Sequence, residues 1–244
     1  MFVGFGTVVN VAAVATGAGL GLIIGNRMPE RSRSLVTDAL GLVTFVLGID
    51  AAMALGSQAL ASVAGVGLGL LIVIGALLPG ALIGSWLRLT ERLDGLATWL
   101  KNKLGQGESQ HFVEAIVTPT LVFTVGPLTI MGTMSDGLGL GSQQLLVKSA
   151  MDGFASIAFA ASLGVGVLIS AAVVGLVQGS LTLAAVAIGS FLSQAQIDAL
   201  TATGGIILLG LSIRLIGLKD IRVADLLPAL IIAPILTAAV AWLT

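Results

Sequence analysis

Long apolar runs interrupted by three short basic stretches dictate how this chain can fold. The stretches are Arg27, Arg31 and Arg33; Arg88, Arg92, Lys101 and Lys103; and Arg214, Lys219 and Arg222, and of the 11 Lys and Arg residues only Lys148 falls elsewhere. Cytoplasmic loops of a multi-pass membrane protein collect Lys and Arg, so all three stretches are expected on the cytoplasmic side, with an even number of crossings between them. The composition agrees, with 57% hydrophobic and 9% charged residues and a mean hydropathy of +1.10, against roughly 25% charged in a soluble domain. Glycine is abundant, and Gly17, Gly21 and Gly25, like Gly65 and Gly69, recur every fourth residue, as in lipid-embedded helices whose backbones approach closely. The segments of about ten alternating residues that a β-barrel requires are absent. With no cysteine and one histidine, disulfides, thiolate metal sites and His-rich metal sites are excluded. A net charge of −1 gives no sign of nucleic-acid binding.

At about 20 apolar residues per span, helices are predicted near 4–25, 35–56, 62–87, 112–134, 146–163, 166–191, 199–217 and 223–243. The first run lacks a preceding basic residue and a closing A-x-A site, so it reads as a retained helix rather than a signal peptide. The expected fold is an all-α polytopic bundle forming a single transmembrane domain over 1–244. Eight spans put the basic stretches inside and both termini outside. The external loops, 56–60, 135–145 and 193–198, hold no Lys or Arg, and Lys148 falls at the external end of helix five. Over 112–163 two full spans compete with a re-entrant pair. Residues 88–104, with Leu89, Leu93, Leu96, Leu100 and Leu104 at helical spacing, predict an amphipathic helix in the interface, anchored by Trp86 and Trp99. Its role is that of an anchor or, alternatively, of a partner-binding element.

An internal repeat is suggested by a gapless overlay of 25–50 on 189–214, which sets Gly25 on Gly189, Thr37 on Thr201, Gly41 on Gly205, Leu47 on Leu211 and Ile49 on Ile213. Units 4–87 and 166–243 would then be inverted copies flanking the central helices 112–163, a plan found in many secondary transporters. Chance likeness between Gly/Leu-rich helices is the other account. A competing overlay sets Pro119 and Pro127 on Pro228 and Pro234 and implies parallel halves.

Ionisable groups at mid-span cost about 2.5–3.5 kcal/mol each on translocon scales, so each needs a partner, a cavity or an interface. Asp152 stands one turn after Lys148 with Ser156 a further turn on, which places all three on one helical face. The pair is either a proton- or cation-responsive element or a structural ion pair at the external interface. Helix four carries Thr118, Pro119, Thr120, Gly126 and Pro127. Each proline removes a backbone donor, so the helix is expected to kink or break near mid-bilayer, exposing carbonyl and Thr oxygens that suit a cation and a half-helix N-terminus that suits an anion. The plainer account is a packing kink. Helix eight repeats the pattern with Pro228 and Pro234, after an Asp225 that either caps the helix or joins the site. Asn10 and Gln178 are amides inside spans that must hydrogen-bond between helices or line a cavity.

Taken in order, Gly6-Thr-Val-Val-Asn10, Met28-Pro-Glu-Arg31, Phe123-Thr-Val-Gly126, Asp136-Gly-Leu138, Lys148-Ser-Ala-Met-Asp152-Gly, Gln178-Gly179, Gly204-Gly205 and Ile221-Arg-Val-Ala-Asp225-Leu-Leu-Pro228 resemble a bacterial inner-membrane family catalogued as domain of unknown function 554. The resemblance covers nearly the whole chain, and Lys-Ser-x-x-Asp-Gly is its most specific run. It implies a multi-pass cytoplasmic-membrane protein and names no substrate. Two departures, Asp225 where Asn is expected and prolines at 119 and 127 where small residues are, weaken those positions as carriers of a shared role.

Three functions compete. The first is a secondary transporter, with a homodimer as a possible assembly, moving a small solute or ion across the lipid bilayer through a midplane site. The others are an ion channel and a non-transporting scaffold or sensor. No enzyme motif, no cofactor site and no Walker A run is present, so any transport would draw on a gradient.

Overall fold

The computed structural model describes residues 2–25, 29–92, 95, 110–124, 127–188 and 192–243. Arg27, Trp99, Lys101, Lys103 and Gly126 lie outside the described residues, as does most of the expected amphipathic helix, of which 89–92 are helical. Ten helices follow one another among the described residues, with no strand: α1 Phe5–Gly25, α2 Glu30–Ala52, α3 Gln58–Ala64, α4 Gly69–Trp86, α5 Gln110–Thr124, α6 Pro127–Gly137, α7 Gln143–Leu163, α8 Gly166–Ile188, α9 Gln194–Leu215 and α10 Pro228–Leu243. Seven of these stretches are long and apolar enough to cross a membrane, or eight when α5 and α6, bent by 64°, count as one span.

The geometry of that bent pair distinguishes a crossing from a re-entrant loop. Ala115 of α5 packs on Gly166 at the start of α8, whereas Gly137 at the end of α6 packs on Thr182 and Ala185 near the end of α8. Both halves therefore advance the same way along α8 over some 16 to 19 residues, about 25 Å at the helical rise of 1.5 Å per residue. A re-entrant pair would double back. Taken as one span, the pair brings the candidate spans to eight.

Local chemistry explains the boundaries that differ from expectation. Helix three does not begin at 62: α3 is a short separate helix, capped by Ser57 Oγ accepting from Leu60 N at 3.0 Å, and the chain then turns through Gly65 at φ 90° and Gly67 at φ 78° before α4. Side chains rarely adopt that backbone conformation, so the turn falls on glycine. Helix seven starts earlier than 199, because Ser193 and Gln196 form a reciprocal capping box that recruits the expected loop 193–198 into its first turns. Helix four breaks between Thr124 and Pro127, yet α5 runs unbroken through Pro119 and α10 through Pro234. Pro127 and Pro228 open their helices, where a missing N–H costs nothing.

The chain forms two compact units, each from two stretches: 1–40 with 97–191, and 41–96 with 192–244. In the first unit α1 lies against α7 in parallel. Gly17 faces Gly153 and Ser156, Gly21 faces Ile157 and Ala160, and Gly25 faces Ala161, so close that a Cβ at Gly25 would stand 2.6 Å from Ala161 O. The glycine spacing read from the sequence is thus a contact face. Beside it Val14, Ala18, Phe123, Phe159, Val167 and Val174 form the core. In the second unit Leu60, Ile72, Ala76, Ala199, Ala229 and Ala233 are buried together, and a Cβ at Gly80 of α4 would stand 2.6 Å from the backbone N of Ala229 in α10.

Candidate functional site

The earlier start of α7 moves its charged pair inward. Asp152 is the tenth of 21 residues in Gln143–Leu163, so it stands at the helix centre rather than near an external end. Lys148 Nζ donates to Asp152 Oδ2 at 2.6 Å, and Asn10 Nδ2 of α1 donates to the same oxygen at 3.0 Å. Both charged residues are 6% exposed and Asn10 is fully buried. The Phe123 ring lies 6.0 Å from Lys148 Nζ and meets Phe159 edge-on, which walls the ammonium on its apolar side. Pairing is what lets two such charges remain inside: either alone would carry the full cost of desolvation.

On Asn10 and elsewhere in the same unit, polar groups are left unmatched. Asn10 Oδ1, both amide atoms of Gln178 and the hydroxyls of Thr118 and Thr120 are buried with no hydrogen-bond partner among the described residues. Leaving such groups unmade costs about 1–3 kcal/mol apiece. Gln178 is the thirteenth of 23 residues in α8, again central. The Thr7 and Thr182 hydroxyls meet at 3.3 Å across α1 and α8; because the two helices are antiparallel, Asn10 and Gln178, each about one turn from that contact, share a level. Thr129 Oγ donates back across the helix break to Phe123 O at 3.0 Å, and Thr124 Oγ donates to Thr120 O at 2.7 Å. These two threonines are therefore committed to stabilising the broken span. Thr118 and Thr120 keep unclaimed oxygens. Among the described residues no group of three His, Cys, Asp or Glu side chains is placed to hold a metal.

Not every residue singled out in the sequence joins this cluster. Asn10, Lys148 and Asp152 come together, and Gln178, Thr118 and Thr120 stand unsatisfied in the same unit. Ser156 instead donates to Gly153 O at 2.8 Å and packs against Gly17, a contact between α1 and α7. Asp225 belongs to the second unit, where its Oδ1 accepts from Thr90 N at 3.0 Å and caps the helical turn at 89–92, not the start of α10. Pro127 marks the break as the first residue of α6.

Sequence reasoning missed Asp136, which fell within the expected external loop 135–145. It lies in α6, 4% exposed, and its Oδ2 accepts from Gly6 N at 3.0 Å. The carboxylate thereby satisfies an orphan donor at the start of α1 and meets the positive end of that helix. Asp136→Ala is expected to lower stability by about 1–2 kcal/mol, with Asp136→Asn less harmful since its amide oxygen can still accept. Thermal unfolding of the two purified variants checks the order.

Known proteins agree with a membrane assignment without extending it. The family described as "Protein of unknown function (DUF554)" matches residues 5–238. Among relatives, an "Uncharacterized protein YqgA" from Escherichia coli (strain K12) is 29% identical over 97% of this chain and 98% of its own length. An "Uncharacterized membrane protein YdfK" from Bacillus subtilis (strain 168) is 28% identical over 95% of this chain and 94% of its own. No solved structure matches at a significant level. A match running from the first helix to the last, on a chain with seven or eight helical stretches long and apolar enough to cross a membrane, makes this protein a multi-pass membrane member of the DUF554 family.

Proposed function

We propose that the protein is a small secondary transporter that passes a small solute or ion through the polar cluster of α1, α5, α7 and α8. The observation that carries this reading is the buried Lys148–Asp152–Asn10 triad at the centre of a span, with a fully buried Gln178 at the level of Asn10 on α8 that leaves both amide atoms unpaired. A purely structural core would pair or exclude such groups, whereas a solute site leaves them for the solute. The break between α5 and α6 supports it, since discontinuous spans build midplane sites in many transporters.

Alternating access would use an inverted repeat of the kind that the overlay of 25–50 on 189–214 suggests. In this reading the protein sits in the bacterial inner membrane with its basic stretches inside and both termini outside.

Proteoliposomes are expected to accumulate a member of a panel of radiolabelled amino acids, carboxylates, amines and sugars under an imposed H⁺ or Na⁺ gradient, with uptake lost in Asp152→Asn. Uptake that ignores every gradient and is identical in that variant would sink the proposal. Single-channel steps would favour a pore instead.

A further inference from the structure

We infer that the cluster around Lys148 and Asp152 binds a small zwitterion carrying a primary ammonium and a carboxylate, a molecule of the amino-acid type. This rests on reading the cluster as a solute site and adds the class of solute, which follows from charge balance and from the unused hydrogen-bonding capacity.

Charge comes first. Lys148 and Asp152 sum to zero, and they are the two charged side chains of the cluster among the described residues. An occupant with a single charge would leave one of three charges unpaired in a medium that penalises it heavily. A neutral hydrogen-bonding molecule avoids that penalty but gives the pair no reason to open. A zwitterion exchanges one internal ion pair for two, so every charge stays paired throughout.

Capacity points the same way. Asp152 Oδ2 already takes two hydrogen bonds, whereas Oδ1 takes none among the described residues, and Asn10 Oδ1 is an unpaired acceptor on the very amide that holds Asp152. Two acceptors flanking a carboxylate suit an ammonium with three protons. Lys148 Nζ spends one donor on Asp152, and Gln178 Nε2, at the level of Asn10 on α8, spends none. Those donors suit a carboxylate. The ring of Phe123, edge-on to Phe159, lies 6.0 Å from Lys148 Nζ and gives the site an apolar wall.

The test uses the purified full-length protein in detergent, its thermal unfolding followed by tryptophan fluorescence with glycine, L-alanine, β-alanine or 4-aminobutyrate. Acetate, methylammonium and glycerol serve as single-feature controls at the same concentration. At least one zwitterion is expected to raise the unfolding midpoint by about 5 °C at saturation, with no rise from any control. Asp152→Asn and Gln178→Leu should each abolish the rise; the second leaves the ion pair intact, so loss of binding there is separable from loss of folding. Absence of a rise with all four zwitterions, or an equal rise with acetate or methylammonium, overturns the inference. Binding without gradient-driven uptake would uphold the solute class and remove the transporter reading. Uptake of a monocarboxylate with a proton, with zwitterions inert, would do the reverse.

Discussion

Asp152→Leu with Lys148 left in place is expected to destabilise the protein by about 3–5 kcal/mol, whereas Lys148→Met combined with Asp152→Leu should cost far less and leave a folded, inactive protein. The pair lies 2.6 Å apart with side chains 8% exposed. Removing one partner strands an ammonium among Phe123 and the helices, while removing both exchanges charge for apolar volume. Asn10 decides how complete the recovery is, because the double variant also leaves its Nδ2 donor without the acceptor it uses at 3.0 Å. Chemical unfolding of the wild type, Asp152→Leu and the double variant measures both quantities. Equal losses in the single and double variants would mean that the pair is solvated and that the midspan site does not exist.

The second large effect concerns the face between α1 and α7. Gly21→Val is expected to lower stability by about 2–3 kcal/mol and to abolish uptake, because its Cβ would run into the backbone carbonyl of Ile157 and the side chain of Ala160. Backbone cannot move aside as a flexible side chain does, so the helices must separate. Separation would carry Asn10 away from Asp152, which links this packing face to the site. Gly19→Val is the control: it lies two residues away on the same helix, and a Cβ there meets nothing within 4 Å. Comparable melting of Gly19→Val and Gly21→Val would refute close packing as the role of this face.

Several elements were legible before any coordinates because lipid makes their physics local. Each span must satisfy its own backbone and present about 20 apolar residues, so the spans announce themselves by length. The stripe Gly17, Gly21, Gly25 was readable because small residues at that spacing serve one purpose in lipid. The break at Pro127 was readable too, although Pro119 and Pro234 stayed inside continuous helices. A proline's effect depends on whether it falls at a helix start or in its body, and neighbouring helices determine where the start is. Ser193 with Gln196 was a legible capping signal that a reading by apolar run length passed over.

The partners of the polar groups were not legible. Lys148 and Asp152 four residues apart announced a pair, yet nothing along the chain linked Asn10 to Asp152, 142 positions away, or Gly6 to Asp136, 130 positions away. By the same limit Ser156 and Asp225 looked like site residues, and packing turned one toward Gly153 and the other toward Thr90. The sequence by itself determined a membrane-embedded helical protein, its spans and the sparse set of polar residues that lipid would not tolerate unpaired. Tertiary structure alone decided which of them meet and which stay unpaired, because contact between helices is fixed by three-dimensional packing of faces far apart along the chain.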